Sequence, residues 1–433
     1  MTEQGSPNIA RTALRLLPLQ AALRAGEAFL PIALAAWFGR GAATDLYYLL
    51  AAYYVFAAAL LTGAFQDSGA VAVLIDVGTR KPGELPEVAG ALLGHTLAIA
   101  VGLGLTMGVL AGVVFGLTSF SPELALQLVA LMSLGLIATA VRAFYVGFLN
   151  SRGTFRAHPI ASGLGMVVTW GLLAWGQRDL GVRMIPAATL AGELVAIAVL
   201  RGLAHRGLGL RIVPSLKRSE PVRRILSLVR LETTGTIITR INPMVDQLMS
   251  GLAGVVGGGT LVRYAGDVAA LPTSILQATV FPVLLSRLAH EAQRPTHFGE
   301  TTRRTLYGVT SLLVVAALLV AALRRPLCVL LFAHGAMDHA GVDRMADMLP
   351  WALVGVPPFG ALLVLARAHV ALQNSRIMPT MGVLNATLNL GLNAIFVRFL
   401  GLSGLLLSTS VTYAVVAAVF WVRLPPSVRL AQR

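Results

Sequence analysis

The sequence predicts an all-α polytopic membrane protein with about twelve transmembrane helices in two six-helix, parallel-repeat lobes around a central cavity. Hydrophobic residues make up 56% of its 433 residues and charged residues only 12%, whereas soluble domains average about 25% charged residues. A hydrocarbon core about 30 Å thick needs roughly twenty apolar residues per helix. The chain therefore has room for about twelve spans connected by short loops.

Apolar stretches separated by polar breaks locate these spans. The first half contains spans near 18–38, 46–77, 88–117, 124–149, 157–176 and 185–203. The second contains spans near 225–252, 260–289, 306–323, 348–372, 377–399 and 402–424. We therefore predict an N-terminal lobe at 1–205, a basic cytoplasmic linker at 206–224 and a C-terminal lobe at 225–433.

A short sequence motif that occurs once in each half of the chain supports two related halves. Leu149-Asn150-Ser151-Arg152 follows the fourth span, and Gln373-Asn374-Ser375-Arg376 follows the tenth. With six spans per half, both loops lie on the same side of the membrane, which predicts parallel repeats about an axis along the membrane normal. Prolines interrupt several spans at Pro31, Pro243, Pro272, Pro282, Pro357 and Pro358. Such breaks fit either packing kinks or a water-filled cavity.

Basic residues predict the orientation of the protein in the membrane. The formal net charge is +15, but the basic residues concentrate in alternate loops, so they indicate topology and no nucleic-acid partner. The positive-inside rule then places both termini and the linker in the cytoplasm. The polar and basic N-terminal segment lacks the pattern of a removable signal peptide.

Charged residues inside predicted spans are the candidates for function, because each costs roughly 2.5–3.5 kcal/mol to insert and usually faces a cavity or a partner. Guanidinium groups bind phosphate oxygens in bidentate fashion, so the candidates for binding a diphosphate are Arg24, Arg240 and Arg263. Carboxylates that could bind a coupling cation or proton, or serve in gating, are Glu27, Asp45, Asp246 and Asp267. Structural ion pairs, Arg24 with Glu27 and Arg263 with Asp267, are the alternative interpretation. Arg142, Glu193 and His369 receive no role.

Motifs for catalysis and cofactors are missing from the sequence. The single cysteine, Cys328, excludes an internal disulfide, and no metal-ligand spacing appears. Gly257-Gly258-Gly259 lacks the Lys-Ser/Thr that completes a nucleotide loop. We predict a protein that is not an enzyme and needs neither a metal nor a cofactor beyond a coupling cation or proton.

Two stretches resemble the MurJ/MviN lipid II flippase family of the multidrug/oligosaccharidyl-lipid/polysaccharide exporter superfamily. The first runs from Trp37-Phe38-Gly39 through Asp45 to Gly63-Ala64-Phe65, and the second from Ile241-Asn242 through Tyr264-Ala265 to Phe281-Pro282. The resemblance implies V-shaped lobes, alternating access and a polyprenyl-diphosphate sugar as substrate. It also implies cavity and first-loop roles for Arg24 and Asp45.

Several charges of that family are absent here. Leu30 and Pro31 replace an arginine and its acidic neighbour, Ala57 and Ala58 replace paired arginines, and Thr62 replaces an acid. Gly266-Asp267 stands where the family has Asp-Arg, although Arg263 lies one turn away. The family's two further C-terminal helices also have no counterpart among the predicted spans. Lipid II and another lipid-linked glycan, for capsule, exopolysaccharide or O-antigen, therefore both remain open as substrates.

The leading functional prediction is a flippase for a lipid-linked saccharide in the bacterial inner membrane, with a role in peptidoglycan or polysaccharide biosynthesis. Its partners would be the saccharide, the lipid bilayer and cell-envelope biosynthesis proteins. The alternatives are a cation-coupled multidrug exporter, a transport-inactive envelope-assembly scaffold and a membrane enzyme. The enzyme is disfavoured because the longest loop, near 206–224, is short and basic.

Overall fold

The computed structural model describes residues 9–66, 70–117, 120–208, 212–291, 295–372, 374 and 377–429. Within that part of the chain, the structure consists of α-helices, two short 3-10 helices and the segments that connect them. Their bounds are α1 Ile9–Phe38, α2 Ala42–Gln66, α3 Ala70–Arg80, α4 Leu85–Leu117, α5 Pro122–Ser151, α6 Ala157–Leu180, α7 Met184–Leu208, α8 Glu220–Leu252, α9 Gly258–Glu291, α10 Pro295–Ala322, α11 Arg324–Phe332, α12 His339–Leu353, α13 Val356–Ala371, α14 Ile377–Leu400, α15 Leu402–Arg423 and α16 Pro426–Arg429.

The predicted all-α class is confirmed, and the predicted spans fall on these helices. The second span covers both α2 and α3, and the tenth covers α12 and α13, which meet at a bend of 40°. Seven stretches of the described chain are long and apolar enough to cross a membrane, or eight if this bent pair is one span. Helices α8 and α9 are not among these stretches of the described chain. The count of twelve stays a prediction.

The chain divides into two compact units. Unit 1 comprises Met1–Leu34 and Leu50–Thr236, and unit 2 comprises Ala35–Leu49 and Ile237–Arg433. Unit 2 therefore includes the end of α1, the α1–α2 turn and the start of α2. The lobe boundaries predicted at 205 and 225 stay a prediction.

Unit 1 is built on α5, which packs against α3, α4 and α7, while α6 packs along α7. Phe65 of α2 meets Phe144 edge to face at 6.1 Å, and Phe144 stacks on Phe148 at 5.9 Å. A Cβ atom at Gly147 would lie 2.7 Å from the Phe65 ring. Glycine is therefore required where this ring crosses α5.

Residues 212–219, before α8, lie against α4. Ser215 donates its backbone N–H to the carbonyl oxygen of Gly90 at 3.0 Å, and Lys217 pairs with Glu87 at 2.9 Å. Cβ atoms at Gly90 and Gly94 would lie 2.2 and 2.0 Å from carbonyl oxygens of this segment. Two glycines one helical turn apart thus form the groove that holds it.

Unit 2 is built on α9, α13 and α15. Helix α13 packs against α9, α10 and α15, and α14 packs along α15. Among the described residues, Tyr264 of α9 is one of the largest fully buried side chains. Its ring centroid lies 5.5 Å from that of Tyr48 of α2 and 5.2 Å from that of Phe332 of α11. This aromatic cluster fixes the start of α2 within unit 2.

Two helix pairs, α6–α7 and α14–α15, share one pattern of length and turn. Helices α6 and α14 each have 24 residues, and each is followed by a glycine at φ 56°. The glycines, Gly181 and Gly401, have ψ values of −141° and −138°. A turn with φ near +56° favours glycine, and its recurrence at the same place supports the internal repeat seen in the sequence.

Candidate functional site: a charged cavity in unit 2

A cavity of about 660 Å³ lies within unit 2. Its walls come from α8, α9, α13, α14 and α15, and its charged lining residues are Asp246, Arg263 and Asp267. Apolar side chains, among them Phe359 and Met381, form much of the remaining wall. The volume is in the range of small-molecule sites, which span roughly 300–1,000 Å³.

The cationic group of this cavity is the Arg263 guanidinium. Its Nε donates a hydrogen bond to Oδ2 of Asp267 at 3.0 Å, one helical turn along α9. The two side chains remain 39% and 28% exposed. The ion pair predicted from the sequence spacing thus forms. Because the pair stays accessible in a cavity wall, Arg263 can also reach a ligand.

The acidic group of the cavity is Asp246, which lies within a polar network from three helices. Asn393 of α14 donates to Oδ1 of Asp246 and Thr409 of α15 donates to Oδ2, both at 2.7 Å. Asn389 donates to Thr409 at 3.0 Å, and its Oδ1 accepts from Asn393 at 3.2 Å. Ser408 donates to Oδ1 of Asn393. All the hydrogen bonds to Asp246 described here come from neutral side chains.

This oxygen-rich set fits a small monovalent cation. A site for a hard cation is built from carboxylate, amide and hydroxyl oxygens, and Asp246, Asn389, Asn393 and Thr409 supply all three types. Rotation of an asparagine amide exchanges its NH₂ for its oxygen. With a single carboxylate in the set, one positive charge balances the site.

Further polar side chains belong to residues of the same walls. Both amide atoms of Asn242, Nε2 of Gln247 and Oδ1 of Asn385 are buried and have no hydrogen-bond partner within the described protein. Buried polar groups are normally paired with protein, water or ligand. These atoms therefore have hydrogen-bonding capacity that the described protein groups do not use.

Asp45 lies in another part of unit 2, at the start of α2, and is 5% exposed. One carboxylate oxygen accepts from the backbone N–H of Gly257 at 2.6 Å, and the other accepts from the N–H and the hydroxyl of Thr260, each at 2.7 Å. A carboxylate at a helix N-terminus pairs with free N–H groups and with the positive end of the helix dipole. Asp45 thus caps α9 from a distant segment.

The α1–α2 turn is also held against the turn before α12. Arg40 donates to both oxygens of Asp338, at 2.6 and 2.8 Å, and Ala336 donates its N–H to the carbonyl of Ala36 at 2.7 Å. The hydrogen bond from Arg40 holds the pKa of Asp338 below its ordinary value. Gly335 has φ +62°, and a Cβ atom there would lie 2.1 Å from the carbonyl oxygen of Ala36.

Three of the seven predicted site residues, Asp246, Arg263 and Asp267, come together in this cavity. Asp45 lies apart from its lining, and Glu27 is exposed on α1 in unit 1. The side chains of Arg24 and Arg240 lie outside the described part of the structure. Sequence reasoning missed Asn385, Asn389 and Asn393, although amides at every fourth position of an apolar helix were a visible signal.

Comparison with known proteins identifies the family. The family model described as lipid II flippase MurJ matches residues 34–433, which is most of the chain. The chain belongs to the MurJ family. A probable lipid II flippase MurJ of Synechocystis sp. is 23% identical over 407 residues, covering 87% of this chain and 74% of that protein. One of Vibrio cholerae is 24% identical over 207 residues, covering 47% and 39%.

Solved structures share the fold at low sequence identity. A lipid II flippase MurJ in an inward closed conformation aligns with a TM-score of 0.79 at 16% identity, covering 96% of this chain and 89% of that one. An inward-facing MATE-family multidrug transporter aligns with a TM-score of 0.73 at 15% identity, covering 92% and 93%. At these identities the likeness is one of fold alone.

Membership of the MurJ family confirms the predicted resemblance and the predicted class of a transporter that is not an enzyme. Together with the apolar helices, it establishes a multi-pass integral membrane protein with a lipid-linked substrate. The multidrug exporter and the scaffold are not favoured, because the family match runs over most of the chain and is to lipid II flippases.

Proposed function

We propose that this MurJ-family protein translocates a polyprenyl-diphosphate-linked saccharide, lipid II or a related envelope glycan precursor, across the bacterial inner membrane by alternating access. Both termini would face the cytoplasm, as the basic loops indicate. Proteins of envelope biosynthesis, which make and consume such saccharides, are its proposed partners. The single observation that carries the site assignment is the accessible Arg263–Asp267 pair in a cavity of about 660 Å³.

In this proposal Arg263 binds the diphosphate. Without substrate, Asp267 neutralises its charge at a distance of 3.0 Å. A diphosphate offers more oxygen acceptors than one carboxylate and pairs well with the planar guanidinium. Binding would therefore exchange one ion pair for another without exposing a lone charge in the membrane interior.

Asp246 serves in this proposal as the coupling site. Asp246, Asn389, Asn393 and Thr409 would hold a small monovalent cation or, at Asp246, a proton. When bound, the cation or proton would neutralise the carboxylate. The network joins α8, α14 and α15, so the charge state of Asp246 affects how these three helices pack.

Asp45 has a proposed role in gating. Its contacts with Gly257 and Thr260 hold the start of α2 against the start of α9. Arg40 and Asp338 add a contact at the next turn along the chain. We propose that these contacts form in one conformation of the transport cycle and separate in the other. Arg24 and Arg240 remain proposed diphosphate contacts on sequence grounds.

The test uses purified protein in proteoliposomes with a fluorescent polyprenyl-diphosphate saccharide. Arg263→Gln should slow translocation about tenfold or more, because a hydrogen bond to a charged group contributes roughly 1.5–3 kcal/mol. Arg287→Gln is the matched control, since Arg287 pairs with Glu291 at the same spacing and distance on the same helix but outside the cavity. Equal rates for both variants would remove Arg263 from the binding site.

A further inference from the structure

An ion pair in unit 1 has no part in the function proposed above. Nε of Arg142 on α5 donates to Oε2 of Glu193 on α7 at 2.6 Å, and the side chains are only 19% and 15% exposed. Both residues lie within apolar stretches long enough to cross a membrane. Charges at such positions are costly and usually have a functional reason.

The internal repeat locates the counterpart of this pair in unit 2. The starts of α6 and α14, 157 and 377, and the glycines after them, 181 and 401, are both 220 residues apart. By that offset Glu193 corresponds to Tyr413. Arg142 lies eight residues before Asn150, and Ala366 lies eight before the equivalent Asn374. Tyr413 and Ala366 both line the unit 2 cavity.

The same helix pair is packed differently in the two units. In unit 1, Cβ atoms at Gly165 and Gly192 would lie 2.6 and 2.5 Å from each other's carbonyl oxygens, so α6 and α7 are in backbone contact. The counterparts by the same offset are Asn385 and Thr412, whose side chains are larger. Asn385 lines the cavity of unit 2. Glycines thus bring α6 and α7 of unit 1 into contact, whereas the corresponding part of unit 2 contains a cavity.

The acids of the two units also differ in their partners. Asp246 in unit 2 is hydrogen-bonded by the neutral Asn393 and Thr409, whereas Glu193 in unit 1 is paired with a guanidinium. Two other titratable groups interact electrostatically with the unit 1 pair. They are Tyr54 of α2 and His158 at the start of α6.

We infer that the Arg142 guanidinium is a fixed cation that neutralises Glu193 in unit 1, as a bound cation or proton is proposed to neutralise Asp246 in unit 2. Unit 1 is then permanently in the neutralised state that unit 2 reaches only by binding a cation or proton, and ion coupling runs through unit 2 alone. This inference rests on the proposed coupling role of Asp246. It predicts that removal of Arg142 exposes a second cation or proton site at Glu193.

The test is thermal unfolding of the purified full chain in detergent, in sodium chloride or choline chloride, between pH 5.5 and pH 8. In Arg142→Met, Glu193 is an unpaired buried carboxylate, so its neutral form is favoured and stability should rise as the pH falls. We expect a gain in Tm on acidification or sodium addition that exceeds that of the wild type. The double variant Arg142→Met/Glu193→Gln should lose this extra gain and keep the sodium response of the wild type.

Two results would overturn the inference. One is an Arg142→Met protein whose Tm responds to pH and sodium as the wild type does. The other is a double variant whose Tm no longer responds to sodium as that of the wild type does. This second result can be obtained even if Arg142→Met does not fold. The Asp246→Asn variant distinguishes the two proposals. If its Tm still responds to sodium, the coupling site proposed in unit 2 is refuted. The comparison of the Arg142 variants still tests whether Glu193 becomes a cation or proton site in unit 1.

Discussion

At the scale of single residues, Asp246 and Asp45 of unit 2 differ in what their surroundings allow. Asp246 lies beside a cavity and shares its oxygens with two neutral donors. Asp45 is bound by three donors, two of which are backbone N–H groups at the start of α9. The first arrangement leaves room for a cation to replace a hydrogen bond. Both carboxylate oxygens of Asp45 already accept hydrogen bonds, which suits a structural or gating contact.

Asp246→Asn is predicted to abolish the dependence of transport on a cation gradient, because the amide carries no charge to be balanced. Folding should persist, since the amide oxygen still accepts from Asn393 or Thr409. The measurement is the initial rate of translocation in proteoliposomes with and without an imposed sodium or proton gradient. Asp347→Asn, which removes an exposed acid of α12, is the control. An unchanged gradient dependence in Asp246→Asn would rule out its coupling role.

Asp45→Asn is predicted to destabilise unit 2 by about 1–2 kcal/mol, the range for loss of a helix cap. The amide NH₂ repels one of the N–H donors that the carboxylate now accepts from. The measurement is the Tm of the purified protein. Asp338→Asn, which weakens a pair whose acid is 50% exposed, should cost less than about 1 kcal/mol. A smaller loss for Asp45→Asn than for Asp338→Asn would contradict the cap assignment.

Sequence spacing predicts the ion pair in the cavity, but it does not predict the contacts of Asp45 and Asp246. The pair of Arg263 with Asp267 follows from helical periodicity, since residues four apart share a face. The cap that Asp45 supplies joins residues 212 and 215 positions apart, and the partners of Asp246 lie 147 and 163 positions away. No periodicity relates such residues, because tertiary packing alone brings them together.

At the scale of elements, glycines determine where segments approach closely. Hydropathy located the helices well, because length and apolar character are local properties. It could not reveal that the second and tenth spans each cover two helices, or that the backbone of the linker lies in a groove made by Gly90 and Gly94. The groove depends on the absence of a side chain at two single positions, which composition does not register.

Gly335→Ala is predicted to be more destabilising than Gly153→Ala. Both glycines have positive φ, +62° and +76°, so alanine costs roughly 1–2 kcal/mol of backbone strain at either. A Cβ atom at Gly335 would also lie 2.1 Å from the carbonyl oxygen of Ala36, whereas one at Gly153 meets nothing within 4 Å. Thermal unfolding of the two variants measures the difference. Equal losses of Tm would mean that the contact between these turns contributes no stability.

At the scale of the whole molecule, each of the two units has its own charged centre. Unit 2 combines a guanidinium, two carboxylates and asparagine side chains around one cavity, and unit 1 contains a closed ion pair. This asymmetry fits a transporter in which one unit responds to ligand and ion. Membership of the family was visible in the sequence from motifs near Asp45 and Tyr264, and both residues make close contacts within unit 2.

The most direct test of the central claim, transport of a lipid-linked cell-wall precursor, is complementation. The chain would be expressed in bacteria depleted of their own lipid II flippase, with membrane insertion confirmed, and labelled lipid II on the outer leaflet would be followed together with survival. We expect rescue by the wild type and by Arg287→Gln, and strongly reduced rescue by Arg263→Gln. Absence of lipid II and of any other lipid-linked glycan from the outer leaflet, despite correct insertion, would contradict it.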